Sequence, residues 1–217
     1  MPVIVAVDGP SGSGKSSVSK GVAQRLGFAY LDTGAMYRAV TWWGLDAGVA
    51  PQDVPGRLDE VEIVSGTDPL APTITVNGVD VSEAIRTPEV TAAVSSYSAV
   101  PEVRGALVDL QRQAAVVDLI AEGRDLGTVV FPDATLKVYL TADVEARAAR
   151  RALENAERGH DDDVDATGAS LAARDAADSS RTVSPLLAAD DAVHVDATFM
   201  TLPEVIDHVA TLIKERM

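Results

Sequence analysis

Gly9-Pro10-Ser11-Gly12-Ser13-Gly14-Lys15-Ser16 satisfies every fixed position of the pattern GxxxxGK[ST]. Glycines in such a run let successive backbone N–H groups turn inward as a cradle for phosphate oxygens. A helix beginning there points its positive end at the same place. Lys15 can then reach the outer phosphates of a nucleoside triphosphate, and the Ser16 hydroxyl can hold Mg²⁺. Gly9 to Ser17 is therefore the candidate ATP-binding run, with Ser16 as the candidate metal-side group. The flanking sequence suits the chemistry. Val3 to Val7 is an unbroken apolar run, as a strand buried on both faces requires. Val18, Val22, Ala23 and Leu26 then recur at helical spacing, and Gly27 is a natural stop. Together these features predict a nucleotide-binding enzyme.

A ligand of this kind is an anion, and the chain is one too. Its 217 residues hold 33 acidic and 18 basic side chains, for a formal net charge of −15. That balance argues against binding a nucleic-acid backbone. It also means that the few cations must be concentrated at the site. No apolar stretch is long enough to span a bilayer, so no membrane partner is expected. The apolar start runs directly into the phosphate loop without a basic leader, as a core strand does. The absence of cysteine suits the cytoplasm and leaves neither disulfides nor thiolate metal sites.

The elements that would position these groups follow in order. Phe28 to Leu31 reads as a strand ending in Asp32-Thr33-Gly34, and Ala35 to Leu45 as a helix. Val61 to Val64, Thr73 to Val76 and Val79 to Val81 read as short strands, the last two joined by a hairpin turn at Asn77-Gly78. Thr87-Pro88-Glu89 opens a helix, and Pro101 starts another carrying Arg104 and Arg112. Val116 to Ala121 and Leu136 to Leu140 are buried-type strands. A helix with Arg147, Arg150 and Arg151 follows, then a polar loop through Asp161-Asp162-Asp163 and Asp165. Leu171 to Ser180 is a short helix and Ala192 to Val195 the last strand. Thr201 to Glu204 has capping-box spacing for a terminal helix. This alternation predicts an α/β fold, a parallel sheet flanked by helices with a small antiparallel sheet inserted. Ligands then bind at the carboxyl ends of the strands, around Gly9–Ser16, Asp32–Gly34 and Gly123–Asp125.

Three classes of phosphate-loop protein compete. A GTPase switch needs Asn-Lys-x-Asp, and neither Asn77 nor Asn155 precedes a lysine. A mechanical ATPase usually ends a hydrophobic strand in a metal-binding carboxylate, for which Ile120-Ala121-Glu122 is a weak substitute. A small-molecule kinase acting on a phosphate acceptor needs no general base, because the acceptor oxygens are already ionised. It needs cations to neutralise donor, acceptor and transition state. Arginines at strand ends and along one helix fit that demand best.

The motifs DGPSGSGKSS (Asp8 to Ser17), LDTGAMYR (Leu31 to Arg38), GRDLGTVVFPDA (Gly123 to Ala134) and RDxxDxxR (Arg174 to Arg181) resemble, in this order and with these gaps, those of bacterial cytidylate kinases. The resemblance runs essentially end to end. It implies Mg²⁺-dependent transfer of the ATP γ-phosphate to CMP or dCMP within a single kinase domain. The core would be residues 1–33 and 104–217, the monophosphate-binding insertion about 34–103, and the lid about 147–168. Thr33 and Arg38 would bind the acceptor. Ser95, Arg104 and Asp125 would face the cytosine, with Ser96 and Ser98 as alternative registers for Ser95. Arg124 and Arg181 would contact the acceptor phosphate and Asp178 the ribose, though Asp178 and Arg181 also have the spacing of an ordinary helix ion pair. Arg147 and Arg151 would close over the phosphates, whereas Arg150 would be solvated or bracing. The acidic run at Asp161 reads as a solvated loop, with a metal role as the alternative. A monomer is expected. The alternatives are a kinase for another monophosphate such as UMP, and a non-catalytic nucleotide-binding module.

Overall fold

Five parallel strands run side by side through the centre of the molecule in the order β2-β6-β1-β7-β8. They are β1 (Ile4–Asp8), β2 (Ala29–Asp32), β6 (Leu119–Gly123), β7 (Leu136–Thr141) and β8 (Val193–Asp196). A separate antiparallel sheet holds β3 (Ile63–Ser65), β4 (Ile74–Val76) and β5 (Val79–Asp80). The computed structural model describes residues 1–157, 164–181 and 183–217. Asp161 to Asp163 and His160 lie outside the described residues.

Alternation along the strands explains the layers. Val5 and Val7 pack on one face with Val18, Val22 and Ala23 of α1 (Lys15–Leu26) and Val205, Val209 and Ile213 of α7 (Leu202–Lys214). Ala6, Leu31 and Ala121 face the opposite side, against Met36, Val40 and Trp43 of α2 (Thr33–Asp46). Val94 of α3 (Pro88–Ser98) and Leu107 of α4 (Pro101–Gln113) join that cluster, which continues into Ile63, Ile74 and Val76 of the small sheet. Burial on both faces is what a run without polar alternation demands. The hairpin at Asn77-Gly78 forms with left-handed φ values of 51° and 78°, as the dipeptide predicts.

Several strands shift by one or two residues from those read in the sequence, and two boundaries differ by more. The strand expected from Val116 starts at Leu119 and extends to Gly123. Val116 and Val117 are exposed, and Asp118 instead accepts a bond from the Val3 N–H at 2.7 Å. The apolar run therefore starts before the strand does, and pairing with β1 decides its limits. Asp165, expected in a loop, lies within helix α6 (Val164–Ser179), which begins well before Leu171. Helix α5 (Val144–Glu157) precedes it.

Strand register aligns the site. Asp8 lies opposite Gly123 and Tyr139, and Asp32 opposite Glu122. The chain therefore leaves the carboxyl edge of three adjacent strands at one level, into the phosphate loop, Thr33 and Arg124.

Candidate active site

Gly9 begins the phosphate loop with φ 150°, and a Cβ there would meet the Leu140 carbonyl oxygen at 2.1 Å. No other residue fits this turn off the central strand. Ser11, Gly12 and Gly14 to Ser17 then line a crevice of about 480 Å³ shared with Thr33, Arg38, Arg86, Arg104, Arg124, Asp125, Arg151, Arg174, Asp178 and Arg181. Lys15 Nζ donates to the Pro10 carbonyl at 2.8 Å, folded against its own loop. Burial, reinforced by nearby Arg124, holds this amine well below the ordinary lysine range. An incoming phosphate would restore its charge.

Beneath the loop, Ser16 Oγ donates to Glu122 Oε2 at 2.8 Å, and the Tyr30 hydroxyl donates to Glu122 Oε1. Burial raises the Glu122 carboxyl, as does neighbouring Asp32. Glu122 takes the Ser16 proton direction and so leaves the hydroxyl lone pairs to face elsewhere. Asp8, also buried, accepts from the N–H groups of Leu126 at 2.9 Å and Gly127 at 2.7 Å. Burial pushes its carboxyl up to about 6 against the pull of those two bonds.

The opposite wall is built from ion pairs. Arg104 meets Asp125 at 2.5 Å, both side chains almost wholly buried, and its guanidinium lies 5.0 Å from the Tyr37 ring centroid. Asp178 receives Arg124 at 3.0 Å and also Arg181. Arg124 additionally donates to Ser11 Oγ at 2.7 Å, tying this wall to the phosphate loop. Arg181 donates to Ser98 Oγ at 3.0 Å. Arg38, reaching in from α2, donates to the Ile85 carbonyl at 3.1 Å and Thr91 Oγ1 at 2.8 Å. Burial lowers its pKa to about 9, with Arg174, Arg86 and Arg151 adding repulsion. So many guanidiniums facing one another create a strong positive potential that an anion would relieve.

Such a crevice suits an enzyme of anionic substrates. Comparison with known proteins decides which kind. The cytidylate kinase family matches this chain over residues 5–215.

The chain belongs to the cytidylate kinase family.

The cytidylate kinase of Streptomyces avermitilis is 56% identical over 220 residues, covering 99% of this chain and 94% of the relative. Those of Nocardia farcinica and Mycobacterium leprae are each 49% identical, covering 100% and 99% of this chain and 95% and 96% of the relatives. Among solved structures, a protein from Eubacterium ventriosum superposes with a TM-score of 0.55 at 10% identity, over 99% of each chain. Shikimate kinase from Acinetobacter baumannii, in complex with shikimate, gives 0.50 at 13% identity, over 99% of this chain and 94% of that one. These two show the fold alone. At these identities over nearly the whole chain, this member of the cytidylate kinase family is a kinase.

Within this family member most motif residues line the crevice; Gly9, Pro10 and Ser13 of the loop do not, nor do two residues from beyond it. Ser95 does not line it: its carbonyl accepts from Ser98 Oγ, and Ser98 lines the wall instead, one helical turn later. Arg147 is also set back, donating to the Ser11 carbonyl at 2.9 Å and pairing with Asp175. Arg151 does line the crevice. Arg150 is a brace, donating to the carbonyls of Ser13 at 3.2 Å and Ala197 at 2.5 Å. Sequence reasoning passed over Glu122, Tyr30, Arg86 and Arg174. Glu122 carried a signal, as the carboxylate ending a buried strand. Arg174 opens the RDxxDxxR motif. Arg86, which pairs with Asp32 at 3.0 Å, carried none.

Proposed function

We propose that Gly9 to Ser17 hold ATP while the arginine wall holds CMP or dCMP, with the γ-phosphate passing directly between them. The bond from the γ-phosphorus to its bridging oxygen breaks, a bond to an acceptor phosphate oxygen forms, and ADP departs with the electron pair. No general base is needed, because the acceptor oxygen carries no proton. The residues do electrostatic work: Lys15 on the donor, Arg124 and Arg181 on the acceptor, and Arg147 and Arg151 at closure of the lid, about residues 147–168, which excludes water. Arg38 and Thr33 complete the acceptor site in the insertion, about residues 34–103, against a core of residues 1–33 and 104–217. Asp178 would meet the ribose, and Ser98 takes the place expected for Ser95.

The buried Arg104–Asp125 pair, sharing a crevice with the phosphate loop, is the observation that carries the reading. A carboxylate beside a guanidinium complements cytosine, which presents an amine donor next to acceptors. Uracil would set an acceptor against Asp125. Ser16 is the protein oxygen suited to Mg²⁺, because its O–H donates to Glu122, leaving its lone pairs free, and oxygen ligands fit a hard cation. No group of three or more acidic or histidine side chains able to cage a metal occurs among the described residues. That fits an ion bound chiefly through phosphates and water, and Mg²⁺ would supply charge neutralisation across the β- and γ-phosphates. No helix among the described residues is long and apolar enough to cross a membrane. We place the kinase in the cytoplasm as a monomer.

The test is ADP release with ATP, Mg²⁺ and a panel of CMP, dCMP, UMP, AMP, GMP and dTMP. Dominant turnover of CMP and dCMP is expected. Turnover led by another monophosphate would discard the base-reading assignment, and ATP binding without any transfer would discard the catalytic one.

A further inference from the structure

Arg124 is not alone in joining the two walls. Asp8 ends the central strand, and its main chain runs straight into Gly9 of the phosphate loop. Its carboxylate reaches sideways instead, accepting from the consecutive N–H groups of Leu126 and Gly127. These two residues open the turn Leu126–Val130, which follows Arg124-Asp125 directly. The same turn folds back on Asp125, whose carbonyl accepts from the N–H groups of Val129 at 2.9 Å and Val130 at 3.3 Å. Both ends of the peptide after Asp125 are therefore fixed, one by the turn itself and one by Asp8. Successive N–H groups pointing at one carboxylate form a small anion-binding nest, and here the protein fills that nest with its own side chain.

We propose that Asp8 is a positioning residue that sets the cytosine reader Asp125 relative to the phosphate loop, so that acceptor-base selectivity depends on a side chain that touches neither base nor phosphate. This rests on the assignment of Asp125 as the base reader. A structural role alone accounts poorly for the choice of residue. A charged group with no cationic hydrogen-bond partner among the described residues is a costly way to brace a turn. Two short bonds from one rigid carboxylate do, however, fix the direction of the turn. Displacing a reading group by a fraction of an ångström costs selectivity before it costs stability. The neighbouring turn is also close-packed, since a Cβ on Gly127 would lie 3.4 Å from Asp8 Oδ2 and 3.1 Å from Lys137 Cδ.

The decisive experiment compares wild type, Asp8→Asn, Gly127→Ala and Asp125→Asn in steady-state assays with CMP and UMP. Asn at position 8 keeps one acceptor but turns an N–H₂ group toward the other N–H. Asp8→Asn is expected to raise KM for CMP on the order of tenfold and to lower the CMP-to-UMP preference. KM for ATP should stay within about twofold. Gly127→Ala, which leaves the carboxylate in place but crowds it, should move the same two quantities less. Equal rises in KM for both substrates, or an unchanged CMP-to-UMP ratio, overturn the proposal. Should Asp8→Asn fail to fold, Gly127→Ala decides it by the same criteria. If Asp125→Asn lowers the ratio and the other two variants do not, the positioning role alone fails. If Asp125→Asn also leaves it unchanged, the base-reading assignment fails.

Discussion

The two walls of the crevice are made in opposite ways. The donor wall is nine consecutive residues, and its recognition elements are backbone N–H groups and glycine conformations fixed by local sequence. The wall proposed for the acceptor gathers Arg38, Arg104 and Asp178 from three helices, Arg124 from a strand end and Arg181 from just past the third helix. What it offers is side chains, and most are already engaged with carboxylates. The contrast teaches that generality and selectivity come from different materials. A backbone cradle binds any triphosphate because every residue of the loop but Pro10 has an N–H to offer, whatever its side chain. A wall of paired side chains can be specific because each pair must be matched or broken by one particular acceptor.

The sharpest way to break the contrast is at Lys15, the one cationic side chain of the donor wall. Lys15→Ala is expected to depress turnover by a hundredfold or more, on the order of an oxyanion-stabilising group, and to do so with every acceptor. Selective loss with CMP alone would show that the lysine serves the acceptor side. Asp125→Asn should do the converse. It should erode the CMP-to-UMP ratio by roughly 1–3 kcal/mol, about fivefold to 150-fold, while KM for ATP holds. The smallest effect is expected at Arg150, which ties the Ser13 carbonyl to the turn at Ala197. Arg150→Met should weaken ATP by a few-fold, consistent with the roughly 1 kcal/mol of a lost hydrogen bond. CMP binding measured by calorimetry should not change. A larger change in CMP than in ATP would mean that the brace is shared by both walls.

The same division explains what could be read before the fold was known. The phosphate loop, its strand and its helix are local, and periodicity and glycine placement specify them. The Asn77-Gly78 hairpin and the Thr201–Glu204 capping box formed as their spacing predicts, for the same reason. The acceptor wall was legible only as a resemblance, motif by motif. Which hydroxyl of Ser95 or Ser98 faces the crevice depends on how α3 packs on α4, a long-range fact. Arg86 reaches Asp32 across fifty-four residues, and Asp8 reaches Gly127 across 119. No spacing rule connects positions so far apart. The early start expected for β6 failed similarly, since its limits are set by a partner strand and not by its own apolar run.

The ion pairs of the acceptor wall also shape how a ligand meets this molecule. A chain of net charge −15 presents a repulsive far field to any phosphate approaching through water. Its guanidiniums, most of them sitting beside a carboxylate, are felt only at close range. Mobile ions screen the distant repulsion first, because that field reaches beyond a Debye length of roughly 10 Å while the pairing inside the crevice does not. Moderate ionic strength should therefore quicken, and not slow, the arrival of an anionic substrate, and a long polyanion would be turned away before it found the arginines at all.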